Sequence, residues 1–290
     1  MDGQDALVAG EAAAAPFEIL RAQALQSPLI FASPHSGRVY PAEMMAASAL
    51  DSAEIRRSED AFVDTLIAGA SAHGAAVLTN RFARAFVDVN REPYELDPTM
   101  FEDELPDFAI ARSARVAAGL GAIARIVADG QEIYTRKLTF AEAKDRIEAV
   151  HTPYHAALAR LIAEAKAAFG VAVVIDWHSM PSAAGRQGPA RGADFVLGDR
   201  FGQACASVVT ETVERVLRLR GYKVARNNPY AGGFTTEHYG KPADRVHALQ
   251  IEIDRSLYLD EATLEATAGF ETLKRDLDHL FAALAKRDWA

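Results

Sequence analysis

The chain is poor in cysteine, with one, Cys205, among 290 residues. A lone thiol excludes an internal disulfide and suits a reducing compartment, so a cytoplasmic location is expected. Cys205 falls in a run read as helix, 201–217, and reads as a small buried hydrophobe rather than a nucleophile. Positive charge is scarce too. With 31 Lys and Arg against 40 Asp and Glu, the formal net charge is -9. No basic stripe is left to neutralise phosphates, which excludes nucleic acid as a partner. No apolar run approaches the ~20 residues of a membrane span, so a membrane helix is excluded. Residues 1–16 are alanine-rich but carry Asp2, Asp5 and Glu11 and no basic segment. They read as part of a loose N-terminal arm, residues 1–25, and not as a secretory signal.

The composition that remains is that of a soluble globular protein, 50% hydrophobic and 24% charged. Without a composition break or repeat, residues 26–290 are expected to form a single catalytic α/β domain, and nothing in the pattern specifies an oligomer. Short β-rich runs alternate with amphipathic ones, which favours α/β with a central, mostly parallel (mixed) sheet flanked by helices. Strands are expected near 28–35, 76–79, 85–89, 171–178, 194–197, 222–225 and 246–253. Helices are expected over 60–72 (with His73-Gly74 as the stop), 109–128, 140–169 with a kink or break near Pro153, 201–217 and 260–287. The stretches 90–107, 180–192 and 227–242 read as long loops, which in ordered domains tend to carry function.

Two histidines follow apolar runs, in Pro28-Leu29-Ile30-Phe31-Ala32-Ser33-Pro34-His35 and Val171-Ala172-Val173-Val174-Ile175-Asp176-Trp177-His178. Each run reads as a buried strand delivering an imidazole to the carboxyl edge of the sheet, where α/β folds gather ligands. Two imidazoles plus a carboxylate can hold a divalent transition metal and leave a position for water. The carboxylate is sought at the helix start Arg57-Ser58-Glu59-Asp60, where Glu59 and Asp60 compete and Asp64 shares a face with Asp60. Asp176, two residues before His178, shares its strand face and is placed to orient an imidazole.

Further on, Arg84-Ala85-Phe86-Val87-Asp88-Val89-Asn90-Arg91 reads as a strand with arginines at its ends. Arg91 suits a bidentate carboxylate clamp and Arg84 a developing oxyanion, so an anionic substrate is expected. Glu252, flanked by Ile251 and Ile253, faces away from them, and a carboxylate in an apolar strand must be paired or functional. Beside an activated water it would be a general base. The loop from Asn228 to Gly240, with His238, reads equally as a solvated turn or as an active-site wall or lid.

These blocks together resemble the N-formylglutamate amidohydrolase family of the wider zinc carboxypeptidase and aspartoacylase group. The matching segments are Ser33-Pro34-His35-Ser36-Gly37, Asp60 with Asp64, 84–91, Asp176-Trp177-His178-Ser179, Gly232-Gly233-Phe234-Thr235 with His238-Tyr239-Gly240, and 246–258. The resemblance implies a zinc carboxypeptidase-like fold and a Zn2+-dependent amidase. His35, Asp60 and His178 would be the ligands, with Glu59 the competitor for the acidic place. Arg84 would polarise the scissile carbonyl and Glu252 would activate water. Asn90 and Arg91 would hold a substrate carboxylate, with Gly233, Thr235 and His238 completing the pocket wall. One departure stands out. The wider group commonly has its acidic ligand three residues after the first histidine, where this chain has Arg38.

The expected reaction is hydrolysis of N-formyl-L-glutamate to formate and glutamate, a step suited to histidine breakdown. The alternative within the same chemistry is another small N-acyl amino acid or carboxylate-bearing amide, and a non-catalytic ligand binder on this fold is the third reading. A dinucleotide-dependent oxidoreductase is set aside, because Gly119-Leu120-Gly121 lies in a run read as helix rather than between strand and helix. The segment 101–139 matches no motif and is a candidate determinant of substrate choice.

Overall fold

Seven strands build the central sheet of the computed structural model, which describes residues 15–22, 25–127, 130–184 and 192–289. They are β1 (Phe17–Leu20), β2 (Leu29–Ser33), β3 (Ala76–Asn80), β4 (Ala172–Met180), β5 (Phe195–Gly198), β6 (Val224–Arg226) and β7 (Val246–Asp254). Their order is β1-β3-β2-β4-β7-β5-β6. β2 pairs in parallel with β3 and β4, β4 with β7, and β5 with β6, whereas β5 meets β7 antiparallel. The fold is therefore α/β with a mostly parallel, mixed sheet. β2 and β4 are buried along their whole length, as expected of central parallel strands covered on both faces.

The two faces of the sheet have different chemistry. Leu29, Phe31, Val173, Ile175, Trp177, Leu249, Ile251, Ile253, Phe195 and Leu197 join one hydrophobic core. The intervening residues of β4 and β7 include Asp176, His178, Gln250 and Glu252, and strand alternation sends them to the opposite face. The core face is covered in part by α9, whose Phe281 packs edge-on against Phe31 at 5.2 Å and Trp177 at 5.8 Å between ring centroids.

The helices are α1 (Ala42–Ala46), α2 (Ser52–Ile55), α3 (Val63–Ile67), α4 (Ala114–Ala117), α5 (Phe140–Arg146), α6 (Thr152–Phe169), α7 (Ser207–Leu219), α8 (Phe234–Tyr239) and α9 (Gly269–Ala285). A two-residue ladder, β8 (Leu259–Asp260) with β9 (Glu265–Ala266), precedes α9. The contacts divide the chain into two compact units. One takes its residues from within 15–18, 34–59 and 80–156 and is built from short helices, turns and isolated bridges around Tyr40, Met44, Val87, Leu96, Ile133 and Tyr154. The other, from within 19–33, 60–79 and 157–289, carries the central strands.

Several expected elements differ. The run 109–128 is not one helix: α4 starts at the Ser113 cap, and Gly119, with φ of +77°, ends it. Gly121 then runs so close to Glu95 that a Cβ would lie 2.3 Å from its carbonyl oxygen. The run 85–89 is turn rather than strand, with the Phe86 amide bonded to the Ala83 carbonyl at 2.9 Å. Its apolar residues are buried without a ladder. The helix expected over 60–72 begins only at Val63, after Phe62 in the left-handed region, and tightens to a 3-10 turn over Ala68–His73 before Gly74. Asp60 therefore precedes the helix and shares no helical face with Asp64. Cys205 likewise sits before α7, which starts at Ser207. The loop 227–242 contains α8, and the expected helix over 260–287 starts at Gly269. Within the segment expected as a loose arm, Phe17–Leu20 forms the sheet-edge strand β1, and residues 1–14 lie outside the described residues. Residues 185–191 of the expected loop 180–192 also lie outside them.

From 140 to 169 the helix is continuous, but Ile147–His151 is a π turn. Pro153 has no N–H to offer the carbonyl four residues back, and the widened turn immediately before it absorbs that gap.

Candidate metal and amidase site

β2 delivers His35 two residues beyond its last member, Ser33. The Asn80 side chain ties this bend down by donating to the Pro34 carbonyl at 3.0 Å. Gly37 passes the backbone of residues 81 and 82 so closely that a Cβ would lie 2.3 Å from the Phe82 oxygen, which only glycine allows. The His35 ring is buried, and its Nε2 lies 2.7 Å from Asp88 Oδ1.

Asp88 gathers the residues of the 84–91 segment. Its Oδ1 accepts from the Asn90 amide at 2.8 Å, and its Oδ2 accepts from Arg84 Nη2 at 2.7 Å, with Arg91 Nη2 3.8 Å from that oxygen. Arg84 and Asp88 are four residues apart in the chain, so this ion pair is made within the turn segment itself. Burial works to raise the Asp88 carboxyl, but Arg91, His35 and Arg84 outweigh it and hold the group well below the usual carboxylate range. Arg91 is further fixed by donating from Nε to the Leu120 carbonyl and from Nη1 to the Asn90 carbonyl, each at 2.9 Å.

In the other unit, β4 delivers His178 and Asp176 to one face. His178 Nε2 lies 3.0 Å from Asp176 Oδ2, and Nδ1 lies 3.1 Å from Asp60 Oδ2. The other oxygen of Asp60 accepts from Ser179 Oγ at 3.2 Å and from Arg255 Nη2 at 3.0 Å. Arg255 Nε also donates to Ser179 Oγ at 3.0 Å. Burial alone would lower the His178 pKa, yet Asp176, then Asp60 and Glu252, raise it well above its ordinary value. The surroundings of this ring favour positive charge. Glu252 is the register partner of His178 on β7, is buried, and accepts from Gln250 Nε2 at 2.8 Å.

His35, Asp60 and His178 are all buried, and within the second unit Asp60 Oδ2 and His178 Nδ1 lie 3.1 Å apart. Two imidazoles and a carboxylate form a donor set that suits a catalytic divalent metal. A carboxylate backs each ring, Asp88 behind His35 and Asp176 behind His178, the outer-shell pattern that orients metal-binding histidines. The residues present fit the ion. Glu59, the competing acid, is engaged elsewhere: it accepts from Tyr40 Oη at 2.7 Å and from Arg56 Nε at 3.0 Å. Asp64 Oδ1 accepts from the Thr65 amide at 2.9 Å.

The third expected block lies around α8. Gly233 is the residue before its first turn, Thr235 is fully buried, and His238 is exposed with its ring stacked on Phe234 at 4.9 Å. Gly232 enters the helix at φ of +130°, where a Cβ would meet Thr236 Oγ1 at 2.4 Å. The segment 101–139 contributes a cleft of about 400 Å³ lined in part by Arg125, Glu132, Tyr134 and Arg136.

Four side chains at these sites lie outside the sequence expectations. Asp88 is hidden within an apolar run read as strand, and Arg255 follows β7 with no spacing cue. His151 and His155 donate to the backbone carbonyls of Arg91 and Val89 at 3.0 and 2.7 Å. Their four-residue spacing on one helix face was the available signal.

The chain is similar to known proteins along most of its length. The chain is 31% identical over 248 residues to an N-formylglutamate deformylase of Pseudomonas aeruginosa, covering 84% of this chain and 86% of the relative. It is 28% identical to an N-formylglutamate deformylase of Pseudomonas putida, covering 81% and 82% of the two chains. The solved structure of an N-formylglutamate amidohydrolase from Ralstonia eutropha JMP134 superposes with a TM-score of 0.89 at 39% identity, covering 94% of this chain and 98% of that one. The family model for N-formylglutamate amidohydrolase matches residues 27–259, and with that match the chain belongs to this family.

Proposed function

We propose that this protein is a metal-dependent amidohydrolase that cleaves the formyl group from N-formyl-L-glutamate. One observation carries the reading: buried His178 lies 3.1 Å from Asp60 and has Glu252 as its register partner, with His35 read as the third ligand. The names borne by the Pseudomonas relatives supply the substrate.

A zinc ion held by His35, Asp60 and His178 would polarise the formyl carbonyl and bring the pKa of water down toward ~7. The protein's own groups do the rest. Glu252 accepts a proton from the attacking water and returns it to the departing amine as the carbon–nitrogen bond breaks, so water and amide become formate and glutamate. Arg84 faces the developing oxyanion, and its bond to Asp88 uses one of the five donors of a guanidinium. Asn90 and Arg91 hold the substrate carboxylate, and Gly233, Thr235 and His238 line the pocket wall. Fixing the substrate at its carboxylate converts binding into orientation of the formyl carbon.

Elemental analysis of the purified protein, followed by formate release from N-formyl-L-glutamate, tests this reading. N-acetyl- and N-carbamoyl-glutamate and the aspartate analogues are the comparison substrates. About one zinc per chain and preferential turnover of the formyl compound are expected. A metal-loaded protein inert toward every acyl amino acid would overturn the assignment.

A further inference from the structure

One helix in the first unit presents three donors to a single turn segment. Arg146, at the end of α5, directs Nη1 to the Phe86 carbonyl at 3.4 Å and to Tyr134 Oη at 2.6 Å. Its guanidinium lies over the Phe86 ring at 4.7 Å and the Tyr134 ring at 5.5 Å. His151, at the end of the π turn, donates from Nε2 to the Arg91 carbonyl at 3.0 Å, and His155, in α6, donates to the Val89 carbonyl at 2.7 Å. A carbonyl oxygen only accepts, so both imidazoles carry hydrogen on Nε2. The carbonyls of residues 86, 89 and 91 bracket Asp88 and Asn90.

The spacing follows from the helix. His151 and His155 are four apart on one face, with ring centroids 4.4 Å apart. Arg146 stands five residues before His151, a step that would leave the face in a regular α-helix. The π turn over Ile147–His151 takes one more residue per turn and brings Arg146 back toward the same side. The helix thus matches a segment that has turns but no ladder to hold it. Arg146 is buried, and a carbonyl, a hydroxyl and two aromatic rings surround its charge. An apolar side chain would pack there without the desolvation cost of a guanidinium, so structural filling alone is a poor account of it.

We infer that Arg146, His151 and His155 are positioning residues. They fix the Phe86–Arg91 segment and thereby the aim of Asn90 and Arg91 at the substrate carboxylate. The inference rests on the reading of Asn90 and Arg91 as the carboxylate clamp. Asp88 stays tied to His35 and Arg84 by its own bonds and Glu252 stands on its strand, so loosening the carbonyls beside Asn90 and Arg91 costs substrate binding more than the chemical step.

Steady-state kinetics with N-formyl-L-glutamate and hydrogen exchange on the full-length enzyme test this. His155→Ala is expected to raise KM ~10-fold or more, with a smaller change in kcat, because small misplacement of a binding group is costly. Amides 88–91 should exchange faster in the same variant. His155→Gln keeps a donor near the Nε2 position and should restore both readouts, whereas the shorter His155→Asn should not. The Gln and Asn pair decides the matter even where the alanine variant fails to fold. Equal behaviour of Gln and Asn, or unchanged KM and exchange in His155→Ala, overturns the inference. Arg91→Ala separates the two levels. A raised KM there with an unaffected His155→Ala sinks only the positioning role, and an unchanged KM in Arg91→Ala removes the clamp and this inference with it.

Discussion

His178 on β4 and Glu252 on β7 are register partners in a parallel ladder, and their neighbours Asp176 and Gln250 are partners one step earlier on the same face. Paired residues in a parallel ladder project to the same side, so the sheet itself sets the distance between imidazole and carboxylate. A site placed on adjacent strands keeps its geometry better than one placed on loops. The separation of roles between these two side chains is therefore testable by single substitutions.

Glu252→Gln removes the proton acceptor and preserves shape and the contact with Gln250. Turnover should fall by ~10²-fold or more, the scale of general-base catalysis, with metal content unchanged. Formate assays and elemental analysis on the same sample check this, and an undiminished rate takes Glu252 out of the mechanism.

His178→Ala should lose metal as well as activity. Asp176→Asn should weaken metal retention by about 10–100-fold, as removal of a carboxylate behind a ligating histidine does. Titration with a chelator and a zinc indicator reads both, and full occupancy in His178→Ala would discard that ligand.

The core beneath the site predicts a large stability effect. Phe281 is buried against Phe31 and Trp177, and Phe281→Ala should cost about 3–5 kcal/mol in denaturant unfolding. A loss under about 0.5 kcal/mol, the range of surface changes, would show that this aromatic cluster contributes little.

Cys205 is buried, and burial pushes its thiol up to about 12. A thiolate-dependent reagent should label it slowly in the native protein at neutral pH and rapidly after unfolding. Mass spectrometry of both states checks this, and equal labelling rates would place the thiol at the surface.

Acid should weaken the start of α5. Arg136 and the Thr139 cap lower Glu142 from 4.5 to about 2. A depressed carboxylate stabilises the fold fully above its unfolded value and loses that contribution as pH falls through its folded one. Glu142→Gln should therefore unfold at lower denaturant than the parent at pH 7, with the gap closing between about pH 4.5 and 2. A gap that persists unchanged at the acid end would point to packing instead of charge.

Much of the sheet and part of the site could be read from residues alone. β2 and β4 carry apolar runs too long for solvent-facing strands, and alternation already separates Asp176 and His178 from Trp177. Six short segments in family order led to the family that the match over residues 27–259 establishes. The 84–91 segment misled because burial in a turn leaves the same apolar signature as a strand. The run 109–128 misled because its alanines have helical propensity, while Gly119 and the close pass of Gly121 against Glu95 depend on tertiary contacts. Asp88 and Arg255 stayed hidden for a related reason: His35 lies 53 residues from Asp88 and Asp60 195 from Arg255, and pairings that distant leave no periodicity. His151 and His155 carry a four-residue spacing, but their partners are backbone carbonyls, which no side-chain pattern reveals.

The unequal faces of β4 also bear on how the chain folds. Sliding this strand by one position against β2 or β7 would drive an imidazole and a carboxylate into the oily layer under α9 and turn an indole out toward the polar side. Such a mispaired intermediate penalises itself heavily. The residues reserved for chemistry thus act as proofreaders of strand assembly, and swapping them for leucines should give a protein that folds to more than one alignment.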